Sequence, residues 1–75
     1  MPEVAILGSG SWGCALAESL AIKGTKVLLW GRDEKVISEI NTNHTNEAYL
    51  PDVKLSESIL ATTDLDKIKD SKVIV

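Results

Sequence analysis

Short apolar runs alternate along this chain with stretches in which apolar residues recur every three or four positions. The short runs are typical of strands that are buried on both faces, and the recurring pattern is typical of helices. The chain therefore predicts the order strand, helix, strand, helix, strand, helix, strand. The four predicted strands are residues 3–7, 25–30, 58–63 and 72–75.

The predicted helices have recognisable ends. The first begins at residue 11 or 12 and runs to about residue 23, where Gly24 can form a left-handed cap. Asp33 can cap the second helix, which should fade over residues 41–43, because Asn and Thr side chains compete for backbone hydrogen bonds. Asp64 can cap a third and shorter helix.

Residues 42–58 are polar and are interrupted by Pro51, which predicts a long connection. Structureless connections of this length are uncommon in compact domains unless they serve a ligand or a partner. Tyr49, Leu50 and Pro51 are the bulky apolar cluster of this stretch. We expect them to anchor it against the domain or a bound ligand.

This alternation of elements predicts the fold class. Buried apolar strands that alternate with helices indicate an α/β fold, a Rossmann-type parallel sheet with flanking helices and right-handed crossovers. A chain of 75 residues buries only roughly 60% of its unfolded surface, so its core is marginal. Since the chain stops within an apolar strand, we expect residues 1–75 to be the N-terminal part of an incomplete, doubly wound domain.

Three of the five glycines, Gly8, Gly10 and Gly13, lie within the segment "GSGSWG" between the first strand and the first helix. In a βαβ unit this spacing gives each glycine a task. Gly8 permits a tight turn, Gly10 lets a pyrophosphate approach the backbone, and Gly13 lets helix and strand pack closely. A structural turn needs only one or two glycines, so the segment predicts a dinucleotide site at the helix N-terminus.

The end of the second strand bears on which dinucleotide is bound. A site that prefers NAD usually has an acidic residue there, whereas the chain reads "LLWGRDE". Arg32 can hold the 2′-phosphate of NADP through paired hydrogen bonds. Asp33 can accept hydrogen bonds from a ribose, although capping of the second helix explains it equally well. The sequence therefore favours NADP, or use of both cofactors, over strict use of NAD.

Charge and composition exclude several classes of function. The net charge is −3 and basic residues do not cluster, which argues against a nucleic-acid partner. No apolar run reaches the roughly 18 residues of a membrane span. Cys14 is the single cysteine, and no Cys/His cluster suggests a metal site. We expect a soluble protein, and we expect Cys14 to pack as a small apolar residue.

Three segments together resemble the N-terminal part of bacterial NAD(P)-dependent glycerol-3-phosphate dehydrogenase. They are "GSGSWGCALA", "KVLLWGRD" and "NEAYLPDVKL", and the resemblance covers essentially all 75 residues. The specific features are the aromatic residue before the third glycine, the Trp-Gly-Arg-Asp strand end and the Asn-x-x-Tyr-Leu-Pro segment. The chain departs from the family at Cys14, where threonine is more common.

The resemblance implies a two-domain cytoplasmic enzyme that reduces dihydroxyacetone phosphate to sn-glycerol 3-phosphate for phospholipid synthesis, with NADP or NAD as cofactor. It places Ser11 and Trp12 at the pyrophosphate and nicotinamide side of the cofactor, Arg32 near the 2′-phosphate and Tyr49 against the cofactor. A helical substrate domain and the catalytic residues are expected beyond Val75. We therefore expect this chain to be inactive alone, and a homodimer is left open.

Other readings of the same residues remain at this stage. Trp12 can wall the cofactor cleft or pack under the glycine loop. The chain can belong to a dehydrogenase of the 3-hydroxyacyl-CoA or 6-phosphogluconate type, or to a noncatalytic module that senses NAD(P). The segment around Tyr49 and the residues after Val75 discriminate among them. A flavin site is disfavoured because the second strand does not end in an acidic residue.

Overall fold

The structure, a computed structural model, describes residues 4–75. The strands β1 to β4 are Val4–Leu7, Val27–Trp30, Leu60–Thr62 and Val73–Ile74. The α-helices α1 and α2 are Ser11–Ile22 and Glu34–Asn43, and a 3₁₀ helix spans Leu65–Lys67.

The four strands form one parallel sheet in the order β3-β2-β1-β4. The chain adds β2 and β3 on one side of β1 and then returns to place β4 on the other side. In doubly wound sheets such a reversal leaves a crevice at the carboxyl ends of the strands, and ligands bind there. The predicted Rossmann-type α/β fold is thus confirmed, as an incomplete sheet with two α-helices.

The first three predicted elements differ from the structure only at their ends. Glu3, the first residue of the predicted strand 3–7, lies outside the described residues. The strand β2 begins two residues later than predicted, because the Thr25 N–H donates to the Leu20 carbonyl (3.1 Å) and so belongs to the end of α1. Gly24 adopts a φ of 90° and donates to the Ala21 carbonyl (3.0 Å), which is the predicted left-handed cap.

The last two strands are shorter than predicted. The Ile59 N–H donates to the Ser56 carbonyl (3.2 Å), so residues 58 and 59 belong to a turn and β3 begins at residue 60. At β4, hydrogen bonding to β1 extends beyond the strand. The Val75 N–H donates to Ala5 (2.8 Å), and the Val75 carbonyl accepts from Leu7 (2.9 Å).

The helix caps agree with the sequence better than the helix lengths do. Asp33 and Asp64 each accept a hydrogen bond of 2.9 Å from the main-chain N–H two residues later. The predicted third helix is only a single 3₁₀ turn, since its segment is too short to close successive α-helical turns. In contrast, α2 continues through Asn43 and ends at His44, which has a left-handed φ of 59°.

The two faces of the sheet are covered unequally. Helices α1 and α2 pack on the same face and form the larger core with the connection that follows α2. The sheet contributes Ile6, Val27, Leu29 and Ala61 to this core. On the opposite face a smaller cluster consists of Ala5, Leu28 and Ile68. Several apolar side chains of this second face remain exposed, among them Leu7, Leu60 and Ile74.

The connection, residues 44–59, contains no helix or strand, yet it is anchored to the domain. Its buried side chains are Asn46, Leu55 and Ile59. Of the predicted anchors, Leu50 packs against the core, whereas Tyr49 and Pro51 are exposed. Pro51 therefore does not anchor the connection against the domain, because the apolar contacts of the connection come largely from residues outside the Tyr-Leu-Pro cluster. Its contact with a bound ligand stays a prediction.

Two helical carboxylates satisfy backbone and side-chain donors of the connection. Glu39 of α2 accepts hydrogen bonds from the Thr45 hydroxyl (2.6 Å) and the Glu47 N–H (3.0 Å). These bonds, chiefly that of Thr45, hold the pKa of the Glu39 carboxyl below its ordinary value. Glu18 of α1 accepts from the Ser56 N–H (2.7 Å). These carboxylates thus take the place of the carbonyl acceptors that a helix or a sheet would offer to the N–H groups of the connection.

Asn41 joins α2 to β3 and provides a test of this packing. Its Nδ2 donates to the Ala61 carbonyl (2.8 Å), and its Oδ1 accepts from the Ala61 N–H (2.9 Å). We expect Asn41→Ala to lower the free energy of unfolding by about 0.5–1.5 kcal/mol, since both bonds are lost. Amide hydrogen exchange at Ala61 should become faster.

Asn43→Ala is the matched control for this prediction. Asn43 is exposed in the last turn of the same helix, so its replacement should change stability by less than about 0.5 kcal/mol. Equal exchange rates at Ala61 in the two variants would contradict the assignment of these bonds.

Candidate functional site

Residues 8–10 connect β1 to α1 and form one side of the candidate site. Gly8 has a φ of 122°, a conformation that residues with side chains rarely adopt. Its N–H donates to the Trp30 carbonyl (2.7 Å), which ties this glycine loop to the end of β2. A Cβ atom added at Gly10 would have no heavy atom within 4 Å, so the space beside the Gly10 backbone is open.

Gly13 packs α1 against β1. A Cβ atom at this position would overlap the carbonyl oxygen of Gly8 and would lie 3.5 Å from Ile6 Cγ2. Gly13 is buried, and the obstacle is main chain, which cannot rotate away as a side chain can. The close approach of helix and strand that the sequence predicts at Gly13 is therefore present.

The N-terminus of α1 is left open to an anion, whereas that of α2 is not. Gly10 caps α1 without a side chain, and the first turn of α1 contains no acidic residue. Asp33 caps α2, and Glu34 lies in its first turn. Free N–H groups and the positive end of the helix dipole favour a negative charge at an open N-terminus. Of these two helices, α1 is the one suited to a phosphate group.

A cavity of about 260 Å³ lies beside the glycine loop. Three segments line it: the loop itself, the stretch from the end of β2 into the first turn of α2, and one residue of the connection. Of the residues predicted from the sequence, it gathers Gly8, Gly10, Arg32, Asp33 and Tyr49. Residues that are far apart in sequence thus line the same opening.

Ser11 and Trp12, two of the predicted site residues, do not line this cavity. Both lie in the first turn of α1 and are exposed, Trp12 by 72%. The reason is helical geometry: Gly13 and Cys14 occupy the buried side of this turn, which leaves the outer side to the two residues before them. Two aromatic residues line the cavity, Trp30 at the end of β2 and Tyr49, which is 51% exposed.

Gly31 belongs to the site and is absent from the residues predicted from the sequence. A Cβ atom at Gly31 would overlap the Ser9 side chain, with Ser9 Cβ at 2.8 Å, and would approach Ile37 Cδ1 to 3.1 Å. The end of β2 and the glycine loop are therefore in direct contact. Gly31 lies in the Trp-Gly-Arg-Asp strand end that the sequence analysis singled out, but a single glycine after a strand does not indicate a contact with another loop.

Asn46 is the second residue that sequence reasoning missed. It is fully buried, and its Nδ2 donates to the Ser9 carbonyl (2.7 Å) and to Cys14 Sγ (3.1 Å). Cys14 is fully buried as predicted. Burial raises the pKa of its thiol, and the hydrogen bond from Asn46 partly opposes that effect. The thiol is therefore poorly suited to act as a nucleophile at neutral pH.

Two further observations concern the described part of the chain. Within residues 4–75 no three His, Cys, Asp or Glu side chains come together in a way that could hold a metal ion. None of the helices in the same range combines the length and the apolar character needed to cross a membrane.

Comparison with known families and proteins gives a consistent result. The profile of a family described as "NAD-dependent glycerol-3-phosphate dehydrogenase N-terminus" matches residues 3–75. A glycerol-3-phosphate dehydrogenase [NAD(P)+] of Carboxydothermus hydrogenoformans is 50% identical over 74 residues, and that of Bacillus licheniformis is 51% identical over 76 residues. These alignments cover 97% and 100% of the chain but only 22% of each relative. The chain thus spans about a fifth of the length of these relatives.

Solved structures agree with the sequence comparison. The crystal structure of glycerol-3-phosphate dehydrogenase from Coxiella burnetii superposes with a TM-score of 0.87 at 39% identity, over 97% of this chain and 23% of that one. A glycerol-3-phosphate dehydrogenase of Plasmodium falciparum gives a TM-score of 0.84 at 32% identity, with the same two coverages.

Gly13 and Gly10 differ in the space around them, and a pair of alanine substitutions can test the effect of that difference on stability. We expect Gly13→Ala to lower the free energy of unfolding by about 1–3 kcal/mol, because the added methyl group overlaps main chain. Gly10→Ala is the matched control. Its φ of −74° suits alanine and the added atom meets open space, so stability should change by less than about 0.5 kcal/mol. Equal thermal stability of the two variants would contradict this account.

Proposed function

Since this chain belongs to the family described as the N-terminus of NAD-dependent glycerol-3-phosphate dehydrogenase, we propose that it holds the dinucleotide of such an enzyme. The proposed reaction is the NAD(P)H-dependent reduction of dihydroxyacetone phosphate to sn-glycerol 3-phosphate. The cofactor, when bound, supplies the hydride that reduces the ketone carbon. The residues of this chain bind the cofactor and orient it.

The observation that carries the proposal is the open N-terminus of α1 beside the glycine loop. The free N–H groups of the first turn favour a pyrophosphate, and the empty space at Gly10 lets it approach the backbone. The cavity next to the loop extends toward the first turn of α2. It suits the adenosine end of the cofactor, while Ser11 and Trp12 are available to the rest of it on the open side of α1.

Arg32 and Asp33 divide the roles at the adenosine end. Both line the cavity, but Asp33 already accepts a hydrogen bond from the Lys35 N–H as the cap of α2. The exposed Arg32 side chain is free to reach a 2′-phosphate, and its planar guanidinium can also stack on adenine when that phosphate is missing. We therefore assign both NADP and NAD as cofactors, with Arg32 favouring NADP.

The remaining parts of the proposal concern the whole protein. Residues 1–75 form the N-terminal part of its NAD(P)-binding domain, and a helical substrate domain supplies the catalytic groups. We assign no catalytic residue within this chain. The enzyme would act in the cytoplasm, where its product enters phospholipid synthesis. The support is the agreement with relatives about five times as long as this chain.

The proposed activity is tested on the protein as its gene encodes it. Purified protein is mixed with NADPH or NADH, and nicotinamide absorbance is followed after addition of dihydroxyacetone phosphate. We expect oxidation of the cofactor that depends on this substrate. Binding of NADPH without turnover of dihydroxyacetone phosphate would reject the substrate while retaining the cofactor site. Absence of binding would reject both.

The role of Arg32 gives a separate prediction. We expect Arg32→Ala to weaken NADPH binding by about 1.5–3 kcal/mol through loss of a charge-assisted contact, and to affect NADH much less. Lys35→Ala is the matched control, because Lys35 is an exposed cation in the first turn of α2 and does not line the cavity. The measurement is the dissociation constant of each variant for NADPH and for NADH, obtained from the fluorescence of the bound cofactor. An equal effect on both cofactors would remove Arg32 from 2′-phosphate recognition.

A further inference from the structure

The buried amide of Asn46 reaches the glycine loop from the connection. Asn46 is fully buried, and its Nδ2 donates to the Ser9 carbonyl at 2.7 Å. The same Nδ2 donates to Cys14 Sγ at 3.1 Å, in the first part of α1. One side chain thus holds both the loop that precedes α1 and the start of the helix itself.

The main chain of Asn46 has a second role on the other side of the cavity. Its carbonyl accepts hydrogen bonds from the Leu50 N–H (2.7 Å) and the Tyr49 N–H (3.3 Å). Asn46 and Leu50 also form an isolated antiparallel bridge. The turn that these bonds close carries Tyr49, which lines the cavity together with the glycine loop. Asn46 therefore links two walls of the site.

Stability alone does not account for an asparagine at this position. Among the described residues, Asn46 Oδ1 is buried and has no hydrogen-bond partner. A buried carbonyl without a partner destabilises a fold, and an apolar side chain of similar size would avoid that penalty. An apolar side chain could not reproduce the hydrogen bonds that Nδ2 donates to the Ser9 carbonyl and to Cys14 Sγ.

The hydrogen bond to Ser9 fixes one peptide plane, with a longer bond that the Cys14 thiol donates to the same carbonyl (3.4 Å). The Ser9 carbonyl and the Gly10 N–H belong to the same planar trans peptide, so they point in opposite directions. Because Asn46 holds the carbonyl from the buried side, the Gly10 N–H is turned away from the core. Gly10 lines the cavity and begins the open end of α1, where a donor directed outward can meet a phosphate oxygen.

We propose that Asn46 is a positioning residue for the dinucleotide site, which orients the Ser9–Gly10 peptide and the turn bearing Tyr49 before the cofactor binds. This inference rests on the proposed cofactor function and deepens it. Asn46 does not touch the cofactor. It removes rotational freedom from a loop that would otherwise have to be ordered during binding.

The test compares Asn46→Ala with Asn41→Ala in the protein as its gene encodes it. Each substitution removes an asparagine that bonds to main chain, but Asn41 holds β3 and does not contact the glycine loop. We expect Asn46→Ala to raise the dissociation constant and the KM for the nicotinamide cofactor by about tenfold, because the released Ser9–Gly10 peptide and the turn bearing Tyr49 must then be ordered during binding. The kcat and the KM for dihydroxyacetone phosphate should change less than about twofold. Asn41→Ala should lower stability without this shift in cofactor KM.

The outcomes separate this inference from the function on which it rests. If the unaltered protein binds neither NADH nor NADPH, the proposed function fails and the inference fails with it. If the unaltered protein binds the cofactor and Asn46→Ala binds it equally well, the inference alone is overturned. Should Asn46→Ala not fold, Asn46→Leu replaces it, since leucine is of similar shape and lacks the unpartnered carbonyl. Unchanged cofactor KM in that variant also overturns the inference.

Discussion

Helix α1 lies so close to the end of β1 that the Gly8 carbonyl occupies the place of a side chain at residue 13. This contact brings the first turn of the helix directly behind the glycine loop. It also fixes where the open N-terminus of α1 stands relative to the crevice at the strand ends. The site therefore depends on backbone packed against backbone before any side chain contributes to recognition.

The connection after α2 completes the site from the opposite direction. It lacks regular structure, so its donors need other partners, and the helical carboxylates of Glu18 and Glu39 accept from them. Its buried apolar residues join the core that the two helices share. A segment that reads as a polar loop is thus held on both helices, and Tyr49 lies at the cavity because that support is in place.

Local signals in the sequence predicted local structure well. The separate tasks of Gly8 and Gly13, the left-handed Gly24 and the caps Asp33 and Asp64 all follow from spacing or from the residue type at an element's end. The parallel sheet follows from the alternation of strands and helices. The single 3₁₀ turn after Asp64 was expected to be a helix, because a cap and apolar spacing do not reveal how few residues are available.

Contacts between distant segments were the part that the sequence did not disclose. Asn46 and Gly31 reach the glycine loop through tertiary approach, which leaves no periodic mark along the chain. Trp12 shows the converse case, since its place between two glycines favoured a cleft wall, whereas the buried side of its helical turn belongs to other residues. Whether it contacts a bound cofactor remains a prediction.

The contact between Gly31 and Ser9 limits which positions at the end of β2 can be substituted. The next residue, Arg32, is exposed and can be exchanged without disturbing the core, whereas Asp33 also caps α2. Residue 31 has no such freedom, because a Cβ atom there would overlap the Ser9 side chain and crowd Ile37. Substitution at the end of β2 is therefore tolerated at residue 32, whereas a side chain at residue 31 would press against the glycine loop that leads into α1.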